Sequence, residues 1–443
     1  MRKFYFLLLM GIVFLSSCSD VKKADKLRLE HKFDEAAALY QKAADKGNAY
    51  AMWRLGECYD NGDGVEFDSK KAYKWYVKAA KVGSEEAKAI MACTKIYGWY
   101  DQPKEVKQGI TQLANLVKET NNPYVICQYA MLFQDGIENE IEKNTTKADS
   151  ILNTIKDKND PYYLYLKGLV YCYGNDKTDI DENKAIECWE KSQGKCNWGA
   201  REIAYLYRWG GSQIDKDIDK AVDWYKKGVE ANDSKCMLEL ARIYLSEDSI
   251  LQKYHDPKGG LQLLKKSIKH GNADACDYMG YLYSRGENVD KDDKEAFKYF
   301  KMADEYGSAN GALNLGASYI AGRGVEKSTA EGMKCYERAA ERGNAEAALR
   351  LYTLEQNPDK CKEYLEKAVD LGSPRAYYII ARMYYWGANG YPEDNYQAFV
   401  YFKKAADAGW IDAFEYLINM YEKGLGCKKN PAKAKEYREK LKV

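Results

Sequence analysis

Laid over itself at a lag of about 36 residues, the chain repeats, and that constrains its fold more than any other feature. Leu55-Gly56-Glu57-Cys58-Tyr59-Asp60-Asn61-Gly62-Asp63-Gly64-Val65 returns as Leu315-Gly316-Ala317-Ser318-Tyr319-Ile320-Ala321-Gly322-Arg323-Gly324-Val325. Ala72-Tyr73-Lys74-Trp75-Tyr76-Val77-Lys78-Ala79-Ala80 returns as Ala398-Phe399-Val400-Tyr401-Phe402-Lys403-Lys404-Ala405-Ala406. Units end near Gly47, Gly83, Gly271, Gly307, Gly343, Gly372 and Gly409.

Each unit reads as two helices. The first carries a small residue (Gly56, Ala130, Gly168, Ala204, Ala241, Gly280, Gly316, Ala381) and an aromatic residue three positions on. The aromatic column is Tyr59, Tyr97, Phe133, Tyr171, Tyr207, Tyr244, Tyr283, Tyr319, Tyr384 and Tyr421. A spacing of three puts both on one helical face. A glycine inside a helix costs about 1 kcal/mol against alanine, so its recurrence points to close packing.

The second helix has a start signal. Asp68, Asn144, Asp181, Asp217, Asp256, Asp292, Ser328, Asn357, Asp394 and Asn430 are N-cap residue types, whose side chains accept from the free N–H groups of the first turn. Pro257, Pro358 and Pro431 follow three of them, where proline loses no hydrogen bond. Lys-Ala-Ala and a glycine close the helix, as suits a left-handed C-terminal cap. A single pair cannot hide its apolar stripe, so the units must stack as an all-α solenoid of helix-turn-helix repeats. About twelve units are expected over 33–443. The first is expected as a second helix only, 86–197 is degenerate with Thr94 at a small position, and 344–372 is short with Tyr352 at the small position.

These motifs resemble the Sel-one-like repeat family, a branch of the tetratricopeptide-like superfamily. Leu55-Gly56, Tyr59, Gly62-Asp63-Gly64-Val65 and the Asp68-to-Gly83 helix carry the likeness. The resemblance implies a right-handed α/α superhelix whose concave face binds proteins or peptides. It also implies no catalysis and no cofactor.

The N-terminus reads as an address. Arg2 and Lys3 precede an apolar run from Phe4 to Leu15, then Leu15-Ser16-Ser17-Cys18. The run falls short of the ~20 residues of a spanning helix. The last four residues resemble the bacterial lipobox, which implies a signal peptide at 1–17, lipidation of Cys18 and a short tether over 18–32. Ser19 rather than aspartate after the cysteine favours the outer membrane facing the periplasm, and Asp20 alone makes only a thin case for the cell surface.

Chemistry is scarce. Lys+Arg is 68 and Asp+Glu 67, a balance that argues against nucleic acid as partner. The three histidines, His31, His255 and His270, lie in different units without a second ligand at metal spacing, so no metal site is expected. Gly62-Asp63-Gly64 and Gly322-Arg323-Gly324 read as inter-helix turns, not phosphate cradles. Ser192-Gln193-Gly194-Lys195 matches a Ser-x-x-Lys nucleophile pattern without its companion motifs; a cell-wall or β-lactam hydrolase would have to rest on it. With Cys18 lipidated, eleven of twelve cysteines remain, an odd number. Some are expected as packing residues and Cys188 with Cys196 as a bridge candidate. Of 39 tyrosines, about eighteen are spent on two repeat columns, the first-helix aromatics and a second-helix column of Tyr40, Tyr76, Tyr225, Tyr299, Tyr336, Tyr364, Tyr401 and Tyr437. The surplus includes Tyr378, Tyr385 and Trp386, which are the candidate partner-binding residues, since Tyr and Trp serve as interface anchors. The expected function is an envelope lipoprotein scaffold for partner proteins or peptides, with a glycan-binding role in polysaccharide assembly as the alternative.

Overall fold

The computed structural model describes residues 19–137, 140–193 and 198–441. Cys18 and the expected leader lie outside them, as do Lys195 and Cys196. The described chain is built from antiparallel helix pairs stacked in sequence, an all-α solenoid. It divides into two compact units, one ending at Asn272 and one starting at Ala273. Up to Asn272 the pairs run from 19–29 with Phe33–Asp45 to Ser234–Leu245 with Pro257–Lys269. Beyond it they run from Ala273–Arg285 with Asp293–Glu305 to Asp412–Lys423 with Pro431–Lys440. Most of these helices are 13 residues long, marginal in isolation, so their stability comes from packing.

The turn inside each pair is set by one residue. All ten expected N-caps accept a first-turn N–H on their side chains. In nine of them the cap's own N–H also donates to the carbonyl of the first helix's aromatic position: Asp68 to Tyr59, Asn144 to Phe133, Asp181 to Tyr171, and so on to Asn430 with Tyr421. That carbonyl would otherwise be one of the four orphans at a helix C-terminus.

The same bond corrects the register of the third pair. Glu105 donates to Lys95, not to Tyr97. Lys95 therefore holds the aromatic position and Ala92 the small one, with Gly109 backed against the Ala92 carbonyl. The expected Thr94 and Tyr97 stand two residues further on, and the Thr94 hydroxyl donates to the Ile90 carbonyl. The short unit is as expected: Tyr352 stands at the small position and Asn357 follows Leu354 after two residues.

Between pairs, another residue does double duty. Asn48, Ser84, Asp233, Ser308, Asn344 and Ser373 each donate a backbone N–H to the residue five back, closing the previous helix. Their side chains then cap the next helix. The residue before each is a glycine at positive φ, or Asn232 at φ +59°.

The small position is where the two helices of a pair meet. A Cβ on Gly56, Gly168, Gly280 or Gly316 would stand 2.3–2.7 Å from Tyr76, Trp189, Phe300 or Tyr336. Each of these glycines faces a ring; Ala130 and Ala241 belong to pairs with Leu152 and Leu264 in the ring's place, while the pairs of Ala204 and Ala381 keep a ring there, Tyr225 and Phe402. The Gly-x-Gly loops have a second cause. Gly64, Gly324 and Gly426 lie on the first carbonyl of the preceding pair's second helix, at Phe33, Asp293 and Asn395. At 210–214 the loop instead wraps a carboxylate: Ser212, Gln213 and Ile214 donate backbone N–H groups to buried Glu182 at 2.7–2.9 Å. Burial pushes that carboxyl up, but these bonds outweigh it and hold it below the usual range.

Residues 19–29, expected within a tether, are a helix that completes the first pair. Ala24 and Leu27 are buried, Lys32 donates its N–H to the Leu27 carbonyl, and Tyr40 donates to Asp25 at 2.6 Å. The pattern escapes sequence reading because Leu27 replaces the aromatic residue and the turn is only three residues long. Among the described residues no helix is long and apolar enough to cross a membrane.

The size match at the small position is testable by urea unfolding. Gly316→Ala is expected to cost about 1–3 kcal/mol through overpacking against Tyr336. Tyr336→Leu in the same chain, which reproduces the alanine–leucine pairing, is expected to recover at least ~1 kcal/mol as a coupling energy.

Candidate interaction surface

One concavity up to Asn272 lies where the first helices of four successive pairs begin, against the helix 19–29. It has a volume of about 490 Å³. Tyr50, Trp53 and Arg54 come from one first helix, and Glu85 and Glu86 from the next. Asn122–Tyr124 and Asp160–Tyr162 open the two after that, and Arg28 and Leu29 stand at the helix 19–29.

Its wall is an aromatic relay. Tyr50 meets Trp53 edge-on at 5.4 Å, Trp53 meets Tyr124 at 5.4 Å and Tyr124 meets Tyr162 at 5.1 Å. Such T-shaped pairs contribute beyond their buried area.

Arg54 sits within this wall and is only 7% exposed. Its guanidinium lies over the Trp53 ring at 4.3 Å. Nε donates to the Tyr50 hydroxyl at 2.8 Å and Nη1 to Glu57 at 2.6 Å. Tyr50 in turn donates to Asp25 at 3.2 Å. Burial works against the charge, but Glu57 and the neighbouring tyrosine oxygens keep the group protonated. Nη2 has no partner among the described residues, and neither has the buried Trp53 indole N–H. The rim carboxylates are already engaged. Glu85 accepts from Thr120, and Glu86 from Ser84 and Asn122. The pocket thus offers a spare donor edge and aromatic walls, with rim carboxylates held in place by their own donors, a lining suited to the carbonyls of an extended peptide. Arg54 interrupts an otherwise apolar buried stripe, Ala51 to Leu55, and that interruption was the sequence signal for the site.

The residues singled out from tyrosine surplus lie on the helix Pro374–Trp386. Tyr378 packs against Phe402, Trp410 and Tyr416, each with ring centroids 6.0 Å away. Tyr385 contacts Tyr416 at 5.5 Å, and its hydroxyl accepts from Asn419 at 3.0 Å. Trp386, edge-on to Tyr385, is 63% exposed. Tyr378 and Tyr385 are half-buried in the packing between two pairs, and Trp386 is the most exposed of the three.

Ser192 is fully buried and donates to the Trp189 carbonyl of its own helix at 2.8 Å. Its hydroxyl is spent on the backbone and shielded from any substrate. His270 Nδ1 lies 2.6 Å from the Asn61 carbonyl and His255 Nδ1 3.1 Å from that of Ser246. Among the described residues no group of histidine, cysteine and acidic side chains is arranged to hold a metal. The ten described cysteines outside the lipobox are thiols. Burial pushes Cys58, Cys93 and Cys276 up to about 12, which leaves them protonated and poorly nucleophilic.

The family model described as Sel1 repeat matches residues 29–48, 49–84, 162–192, 197–233, 234–272, 273–303, 309–344, 348–373, 374–410 and 419–440, well over half of the chain. Chitin synthase regulator SKT5 of Saccharomyces cerevisiae is 22% identical over 62% of this chain and 34% of its own. Chitin synthase regulatory factor 3 of Schizosaccharomyces pombe is 24% identical over 60% of this chain and 25% of its own. The chain therefore spans about a third or less of these relatives. Among solved structures, a protective antigen of uropathogenic Escherichia coli displaying an SLR fold aligns over 91% of this chain and 86% of its own, at 22% identity and a TM-score of 0.44. A Sel1 repeat protein from Oxalobacter formigenes aligns over 47% of this chain and 84% of its own, at 27% identity and a TM-score of 0.40.

Two arginines of the pocket should behave differently on unfolding. Arg54→Met leaves Glu57 without its partner and is expected to cost about 2–3 kcal/mol, below a fully buried pair because Glu57 is partly solvated. Arg28→Ala, at the mouth, is expected to stay within ~0.5 kcal/mol of the parent.

Proposed function

We propose that this chain, which belongs to the Sel1 repeat family, is a non-catalytic scaffold of the cell envelope that binds segments of partner proteins in the pocket around Arg54. The supporting observation is the combination found there: a buried guanidinium with an unused Nη2 edge, held in a wall of four aromatic rings. Burial of aromatic anchors supplies affinity, and the few polar groups fix orientation. Retention at the envelope rests on the sequence Leu15-Ser16-Ser17-Cys18, with acyl chains on Cys18 as the anchor and the outer membrane as the address. The partner is an extended peptide segment of an envelope protein.

A second reading has its own support up to Asn272. Trp99, Tyr173 and Trp209 stand exposed at or just beyond the C-terminal ends of first helices, with Trp99 stacked on Tyr97 at 5.0 Å. Flat rings with polar tips suit a glycan chain as well as a protein.

Binding of the chain from residue 19 to a tiled array of envelope-protein peptides, and to immobilised polysaccharides, separates the two. The first reading expects peptide hits that weaken at least tenfold with Tyr162→Ala or Arg28→Ala and are indifferent to Trp209→Ala. Retention on polysaccharide that is lost with Trp209→Ala, without peptide hits, replaces it with the second. Metabolic labelling with a fatty acid is expected to mark the full chain and not Cys18→Ala; equal labelling removes the anchor.

A further inference from the structure

Two parts of the chain up to Asn272 meet although about 170–210 residues separate them. The turn 61–67 joins the helices of the second pair. It lies against the turns that end two later second helices, at 231–233 and at 269–272. Three kinds of contact hold them. Asn232 Nδ2 donates to Asp63 Oδ1 at 3.3 Å. His270 Nδ1 donates to the Asn61 carbonyl at 2.6 Å. The backbones come close enough that a Cβ on Gly62 would stand 3.1 Å from His270 Cα, and one on Gly271 would stand 2.3 Å from the Phe67 ring.

Such contacts are not needed by a solenoid, whose pairs touch their neighbours only. Here the stack returns far enough for an early turn to touch late ones. Asp63 is the ionisable group at the junction and is 8% exposed. Glu57 and Cys58 face it from its own helix, Arg28 from the helix 19–29, Lys266 from Pro257–Lys269, and the Asn232 amide from the turn. Cys58 is protonated at neutral pH. Burial, the largest influence, pushes the Asp63 carboxyl up to about 7 against the pull of Arg28 and Asn232. His270 is lowered by burial and adds no charge at neutral pH. Asp60, one turn earlier, belongs to a different contact, accepting from Tyr100 at 2.8 Å.

We propose that the turn 61–67 and the turns 231–233 and 269–272 form a proton-sensitive clasp, closed over a neutral Asp63 and loosened when Asp63 is ionised. The sign follows from linkage. A carboxyl that titrates near neutrality when enclosed and near 4 when open binds a proton preferentially in the closed state. Asp63 therefore favours closure at low pH, an effect that weakens as pH rises from about 4 to 7 and is level above that. His270, lowered by burial, works in the opposite direction as pH falls below its ordinary value, so the Asp63 contribution is the part that Asp63→Asn removes. Asn232 is the specific partner, because the turns before Asn48, Ser84, Ser308, Asn344 and Ser373 use glycine, also at positive φ, and have no side chain there to donate. Arg28 faces Asp63 and also lines the pocket around Arg54, so clasp and pocket share one side chain.

Hydrogen exchange of the chain from residue 19, expressed as protection factors for amides in 61–68 and 269–272, tests the clasp. The expected result is a fall in protection of at least tenfold between pH 5 and pH 8, absent in Asp63→Asn. Asn232→Gly restores the residue of the other turns and keeps the local backbone. It is expected to lower protection in 61–68 severalfold at pH 5, with the circular dichroism and Tm of the parent, and Phe67→Ala is expected to do the same in 269–272. A pH dependence shared by the parent and Asp63→Asn overturns the proposal. So does unchanged protection across the junction in both Asn232→Gly and Phe67→Ala.

Discussion

One hydrogen bond recurs in nearly every helix pair and organises the rest: the N–H of the second helix's cap to the carbonyl of the first helix's aromatic position. It satisfies an orphan acceptor at the end of one helix from the residue that starts the next. The turn between helices is thereby fixed at both ends. With the turn fixed, the small residue one helical turn before the aromatic position must face the second helix, and Gly56, Gly168, Gly280 and Gly316 each receive a ring. Helix length, turn length and core composition are then linked. The third pair makes the point, since its bond runs to Lys95 although an aromatic residue stands two positions away.

Stacking adds a second layer of the same economy. Six junction residues close one helix with their backbone and open the next with their side chain. At these six junctions no residue remains between the two roles, and the pairs are joined by tight elbows rather than linkers. The second glycine of each Gly-x-Gly loop lets the loop settle on the preceding pair's helix start. Where that glycine is missing, at 210–214, Glu182 reaches into the loop and takes three N–H groups instead. Two different chemistries fill one structural need.

The pocket around Arg54 is built on that frame. Four first helices start at its edge, and two of their caps, Asn48 and Ser84, are junction residues that also close the helix before. Their opening residues then line a single cavity with aromatic side chains from three of the four pairs. Arg54 is costly to bury alone and is held by Glu57, Tyr50 and the Trp53 face.

Periodicity alone determined the architecture. Caps, small residues, ring positions and closing glycines were legible because each satisfies a local backbone demand within a few residues. The same local reading failed at 19–29, where Leu27 and a three-residue turn conceal a complete pair, and at Thr94 and Tyr97, where two registers compete. It also could not separate structural from available aromatics. Tyr378 and Tyr385 are half-buried against Phe402 and Tyr416, and Tyr50, Trp53, Tyr124 and Tyr162 meet one another along one wall, a difference of place that the residue types do not carry. The meeting of Asn61 and Asp63 with Asn232 and His270 was decided by tertiary structure only. The physical reason is range. Capping and helical phase are set by neighbours along the chain, whereas the return of the stack onto itself sums small rotations over several pairs, and no single residue carries that sum.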